Sequence, residues 1–117
     1  MDLLKFTNRK FKFWYYTVSH SQALIRSLGL NGDCNIDIYF GDVSYIEIPS
    51  DFSDLTIDEI TSDDMKYINN RLKKDIEPNK VTVLVCNLEK YYVVSTIKKV
   101  MENQLSFFEL PFDSYNV

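Results

Sequence analysis

The stretch Phe11–Ser27, FKFWYYTVSHSQALIRS, decides how this chain is read. It holds the only Trp, the only His and four of the sixteen Phe and Tyr residues. Its odd positions begin Phe11, Phe13, Tyr15, and its even positions run Lys12, Trp14, Tyr16, Val18. A half-exposed strand alternates apolar and polar residues; here both faces are apolar after Lys12. Aromatic and β-branched side chains suit a pleated surface, so the pattern predicts a central strand covered on both faces. Four polar residues, Ser19 to Gln22, then interrupt it as a bend or bulge. Ala23, Leu24 and Ile25 resume the apolar run as a second strand that reaches Arg26 and Ser27.

Working outward, Leu3 to Phe6 reads as a short first strand, with Thr7 and Asn8 turning into Arg9 and Lys10. Leu28 to Asp33 is a loop with the Asn31-Gly32 turn signal. Asn35 to Ile48 reads as a hairpin: Ile36, Ile38 and Phe40 on one face, Asp37 and Tyr39 on the other, and a loop at Gly41 to Val43. That loop sets Ile38 against Ile46 and leaves Asp37 opposite Glu47 on the outer face, since one slip of register would exchange the faces. After Pro49, Leu55 to Ile60 reads as an edge strand guarded by Asp58 and Glu59. Thr61 to Asp75 has helical spacing, with Met65, Ile68 and Leu72 on one face. Thr61 and Asp64 stand at capping-box spacing, and Pro78 stops the helix.

Lys80 to Leu88 is the most apolar strand, with Val81, Val83 and Val85 opposite Leu84, Cys86 and Leu88. A turn at Glu89-Lys90 leads into the strand Tyr91 to Ile97. Lys98 to Gln104 fits a strand, a loop or a helical turn; Phe107, Phe108, Leu110 and Phe112 pack a final segment down, and residues 113–117 fray. The expected fold is mainly β, bordering on α+β. It is one domain over residues 1–117: a curled antiparallel sheet or small β-barrel with one short helix near residues 62–75.

Composition excludes several classes. No window approaches a transmembrane helix. The first ten residues lack the apolar core of a signal peptide, so cytoplasmic residence is expected, with Cys34 and Cys86 as reduced, small apolar side chains. One His and two distant Cys make no zinc pattern, and Gly29, Gly32 and Gly41 make no phosphate loop. Neither a metal nor another cofactor is expected.

Charge is more informative than the net −4. Residues 1–26 sum to +4, residues 27–65 carry ten acids and no Lys or Arg, and residues 66–117 sum to +2. The acidic third is either paired across the fold with the basic ends or presented outward. Presented outward, Asp37, Glu47, Asp51, Asp54 and Asp58, with Tyr39 and Tyr45, form a docking face for a basic protein partner. The alternative is a small-molecule pocket lined by Trp14, Tyr16, Tyr39 and Tyr45, with His20 and Arg26 beside it. An enzyme built on His20 and Arg26 ranks third. On a strand, the Ser neighbours of His20 point to opposite faces, and no nucleophile–base pair is legible; the expected role of His20 is to satisfy buried polar groups at the bend. Lys5, Arg9, Lys10 and Lys12 interleave with Phe6, Phe11, Phe13 and Trp14, as in single-strand binders. The acidic third and a pI near 4.9 oppose nucleic-acid binding.

Trp14 to Ser27, with its Ser-His-Ser-x-x-Leu-Ile-Arg-Ser core, and Tyr91 to Glu109, with Tyr-Tyr-Val-Val-Ser followed by Glu-Asn-x-Leu, resemble a group of small, uncharacterised bacterial proteins. The resemblance implies a bacterial protein and brings no function with it. Size and acidity are also those of small inhibitor or immunity-type proteins that neutralise toxins, an analogy of class alone.

Overall fold

The computed structural model describes residues 4–29 and 33–112. The expected Asn31-Gly32 turn and the fraying of 113–117 therefore lie outside the described residues. The elements are β1 (Leu4–Thr17), β2 (Gln22–Ser27), β3 (Asn35–Glu47), β4 (Asp51–Asp58), α1 (Ser62–Leu72), β5 (Val81–Cys86) and β6 (Glu89–Asn103), with short 3-10 turns at Ser19–Ser21 and Pro78–Lys80. All pairings are antiparallel. The strands run in the order β1-β2-β3-β6-β5-β4, and β1 pairs with β4 to close the sheet into a ring. The mainly β expectation with one helix holds.

The interdigitated interior of the ring is apolar. Phe11, Ile25, Ile38, Phe40, Leu55, Leu84 and Val93 meet there with almost no exposure. Phe11 stacks on Phe52 with ring centroids 6.0 Å apart. A second apolar layer lies outside the wall: Ile68 of α1 packs against Val81, Val83, Tyr92 and Val94, flanked by Met65, Leu72 and Ile76. This is the helical stripe and the Val81/Val83/Val85 face that the sequence spacing separates from Leu84 and Cys86. Thr61 Oγ1 accepts from the Asp64 N–H at 3.1 Å and the Asp64 carboxylate accepts from the Thr61 N–H at 2.9 Å, so the capping box forms with Asp in place of Glu. The helix ends at Leu72, short of Asp75, because Lys73 takes the left-handed conformation (φ 57).

Several expectations change. The residues around Asn35 to Ile48 form one strand of 13 residues, not a hairpin. Its partner is β6, in register from Asn35 opposite Asn103 to Glu47 opposite Tyr92. Gly41-Asp42 is no turn: β3 keeps its register with β6 from Gly41 to Val43 although Asp42 sits at φ 54, and the bulge falls just beyond, between Val43 and Tyr45. Lys98 to Asn103 is accordingly strand. Thr7-Asn8 is likewise no turn, since β1 runs on through Asn8 (φ 58) opposite an irregularity of β4 at Asp54 (φ 53). The Asn8 N–H donates to the Asp54 carboxylate at 2.6 Å across this double irregularity. β4 is not an edge strand, because it pairs with both β1 and β5. The β5–β6 turn is Asn87-Leu88, both at positive φ, with Glu89 already in β6.

The outer wall of β1, β2 and β3 carries a second cover. All six residues of β2 are buried although only one face looks into the ring. The segment after β6 covers the other face: Phe107 packs edge-on to Trp14 at 4.8 Å, and Phe112 lies 4.8 Å from Tyr39 and 6.0 Å from Tyr15. The strand pair is thus covered on both sides at β2, as its composition requires, while Tyr16 and Val18 at the β1 end are exposed. Phe107 and Phe108 remain 56% and 89% exposed, so the final segment packs down only in part.

Candidate functional site

The acidic third is dealt with residue by residue. Asp37 does not face solvent opposite Glu47. It is fully buried and accepts from Arg26 Nε at 2.6 Å and Nη2 at 2.9 Å, and from Asn103 Nδ2 at 2.8 Å. The reason is register: Arg26 stands opposite Asp37 on the outer wall, and the final segment closes over both. Arg26 also donates to the Ser106 carbonyl at 3.4 Å and lies 5.5 Å from the centre of the Trp14 ring. Glu47 accepts from Tyr67 at 2.8 and 2.9 Å and from Tyr45 at 2.5 Å, while Arg71 Nε donates to the Tyr45 oxygen at 3.2 Å. Asp51 pairs with Lys12 at 3.6 Å, Asp54 takes the Asn8 N–H, and Asp58 accepts from the Glu59 N–H at 2.7 Å.

Asp64 is held most completely. Beyond the cap it accepts from Tyr92 at 2.7 Å and from Lys90 at 3.0 Å. Burial pushes its carboxyl up, but the Thr61 N–H, Tyr92, Lys90 and the Thr61 hydroxyl together outweigh burial and hold it below the ordinary Asp value. Burial first, then the hydrogen bond to Asp64, pushes the Tyr92 hydroxyl far above the ordinary Tyr value. The Tyr67 hydroxyl is also raised, chiefly by its hydrogen bond to Glu47. These groups tie α1 to β5, β6 and the end of β3.

The four aromatics of the expected pocket are not brought together. Tyr39 lies under Phe112, and its hydroxyl accepts from Gln22 Nε2 at 2.9 Å. Tyr16 and Tyr45 line a shallow hollow of about 340 Å³ with Phe13, Val43, Ser44 and Ile46. His20 is exposed in the turn between β1 and β2, at φ 61. Arg26 is engaged by Asp37 and does not reach out to His20's turn.

Trp14 and Arg26 do share a cavity. A groove of about 770 Å³ runs between β1 and the end of β2, lined by Asn8, Arg9, Lys10, Lys12, Trp14 and Phe107 among others. Its origin is the stagger of the ring. β2 stops at Ser27, and the last β1 residue paired with it is Lys12, opposite Arg26. Toward its N-terminus β1 pairs on the β4 side only, and Arg9 reaches across the gap to donate to Ser27 Oγ at 3.0 Å and to the Cys34 carbonyl at 2.7 Å. These acceptors are neutral, and among the described residues no carboxylate pairs with Arg9. Lys10 and Lys12 are exposed on the rim. Among the described lining residues, Asp33 is the one carboxylate, and Asp51 meets Lys12 from β4. The groove of this net-acidic chain is therefore basic. Alternation marks it in the sequence: Lys10, Lys12 and Trp14 share one face of β1, while Phe11 and Phe13 point into the ring.

Among the described residues, no three His, Cys, Asp or Glu are placed to hold a metal ion, and no helix is long and apolar enough to cross a membrane. Comparison with known proteins finds no matching family model, no matching curated protein and no matching solved structure.

Proposed function

We propose that this chain is a non-enzymatic interaction module that takes an anionic partner in the groove beside β1. The observation that carries the reading is the concave site itself: Arg9, Lys10 and Lys12 around Trp14, in a chain of net charge −4. Most of the acidic residues are used inside the fold or against its own cations; of the three cations at the groove, Lys12 is shared with Asp51 and Arg9 is held by neutral acceptors, while Lys10 is exposed beside the opening. Clefts lined by one sign of charge concentrate oppositely charged partners and raise their association rate.

Trp14 is the only Trp, so its fluorescence reports on the groove. Titration with hexaglutamate shifts that emission at low salt, the effect weakens at high salt, and it disappears in the Lys10→Glu/Lys12→Glu variant. Failure of the anion to perturb Trp14 at either salt contradicts the reading. A second reading keeps the polarity of the acidic third. Asp51 and Asp54 are exposed on β4, with Asp58 partly so, and would receive a basic protein, in the manner of an inhibitor or immunity-type protein. Hexalysine binding that Asp51→Asn/Asp54→Asn removes would favour that second reading.

A further inference from the structure

The groove has a property beyond its charge: one of its walls is main chain that no described strand pairs with. β1 is paired with β4 from Leu4 to Lys12, but with β2 only from Lys12 onward. Among the described residues, the Leu4–Phe11 half of β1 has no strand beside it on the groove side. Alternate N–H and C=O groups on either side of the irregularity at Asn8 therefore present a template for another strand, which has to step over that irregularity as β4 does at Asp54. A single side chain, Arg9, spans part of the opening.

We propose that the partner is an extended acidic peptide segment that adds as a strand to this free half of β1, an assignment that rests on the anionic-partner reading above. Strand addition draws its affinity from main-chain hydrogen bonds and its selectivity from alternate side chains. The selecting groups are in place. Lys10 and Lys12 project on the outer face of β1, so carboxylates on the outer face of an added strand lie next to them. Leu28, 39% exposed, and the ring of Phe107, 56% exposed, offer apolar contact along the far side of the groove. An alternation of acidic and apolar residues matches both.

Two other occupants fit less well. A second copy of the chain, paired edge to edge about a two-fold axis, would bring two sets of Arg9, Lys10 and Lys12 close together, like charge near like charge. A single-stranded nucleic acid needs a row of bases stacked along the strand. Phe6, Phe11 and Phe13, the rings that interleave with the cations in sequence, face the interior instead.

The test uses the intact chain and blocked peptides of about eight residues, a common strand length, that alternate Glu and Val. Two further versions carry N-methyl groups, one on every Glu nitrogen and the other on every Val nitrogen. Successive residues of a strand direct their main-chain groups to opposite edges, so only one methylated set can stand against β1. Trp14 fluorescence is expected to show binding of the parent peptide, a loss of at least about tenfold in affinity for one methylated version, and near-parent affinity for the other. Hydrogen exchange of the amides between Leu4 and Phe11 is expected to slow in the complex. Equal binding by the parent and both methylated versions overturns strand addition and leaves the anionic-partner reading standing. Binding of an oligothymidylate with no binding of the Glu–Val peptide overturns it in favour of a nucleic acid. Binding of neither probe removes both the inference and the reading beneath it.

Discussion

At the scale of single residues, the clearest tension is Leu88. It is 99% exposed and sits at φ 67 beside Asn87 at φ 52, so both central residues of the β5–β6 turn are left-handed. Two-residue hairpin turns of this kind favour Asn-Gly, and a non-Gly residue there costs about 1–2 kcal/mol. Leu88→Gly is expected to stabilise the fold by roughly 1 kcal/mol, visible as a raised midpoint in urea denaturation; an unchanged or lowered midpoint contradicts the assignment. The buried pair behaves oppositely. Arg26 and Asp37 both have fully covered side chains, so removing one leaves the other without a counter-charge. Arg26→Met is expected to cost about 3–5 kcal/mol, whereas Arg26→Met/Asp37→Leu costs clearly less, because replacing a whole buried pair by apolar groups is often near neutral. A double variant as unstable as the single one would show that the pair itself, not the orphaned carboxylate, is what matters.

At the scale of elements, α1 is fixed by chemistry that titrates. The Asp64 carboxyl is held low, so its charged form stabilises the fold above the ordinary Asp value near 4, and that contribution is lost as pH falls through the lowered folded-state value. Tyr92 is raised, so its neutral form stabilises the fold below the ordinary Tyr value near 10, and that contribution is lost as pH climbs toward the folded-state value. Asp64→Asn keeps an acceptor but no longer ionises; its stability profile is expected to lose part of the acid limb below the ordinary Asp value near 4. Thr61→Ala removes the other half of the cap and is expected to cost about 1 kcal/mol at neutral pH. The helix was legible in the sequence because its cap, its apolar stripe and its length are all local signals. β3 was not. Gly41-Asp42 serves equally as a hairpin turn or as continuous strand ahead of a bulge, and the choice depends on β6, whose exposed stretch Thr96 to Lys99 carries no alternation to announce it. The groove was hidden for the same kind of reason. Its basic face alternates visibly along β1, but the gap beside it exists only because β2 ends before β1 does.

At the scale of the molecule, the fold redistributes a segregated charge sequence. The ten acids of residues 27–65 are spread over the ring. Asp37 and Asp64 are buried with cationic partners, Asp51 faces Lys12, and Glu47 is shared by two tyrosines. The basic N-terminal third, by contrast, keeps part of its charge around the one concave surface that carries the only Trp. The proposed groove therefore predicts a local potential at Trp14 opposite in sign to the net charge. Screening over about 10 Å at 0.1 M salt makes the local cations outweigh the distant acids there. The most direct measurement is Stern–Volmer quenching of Trp14 by iodide and by caesium, each scaled to neutral acrylamide and corrected to free tryptophan. The account predicts that iodide quenches better than caesium, that the difference shrinks as salt is added, and that Lys10→Glu/Lys12→Glu reverses it. A preference for caesium in the unmodified chain would contradict the account, because Trp14 would then sit in the negative field that net charge alone implies.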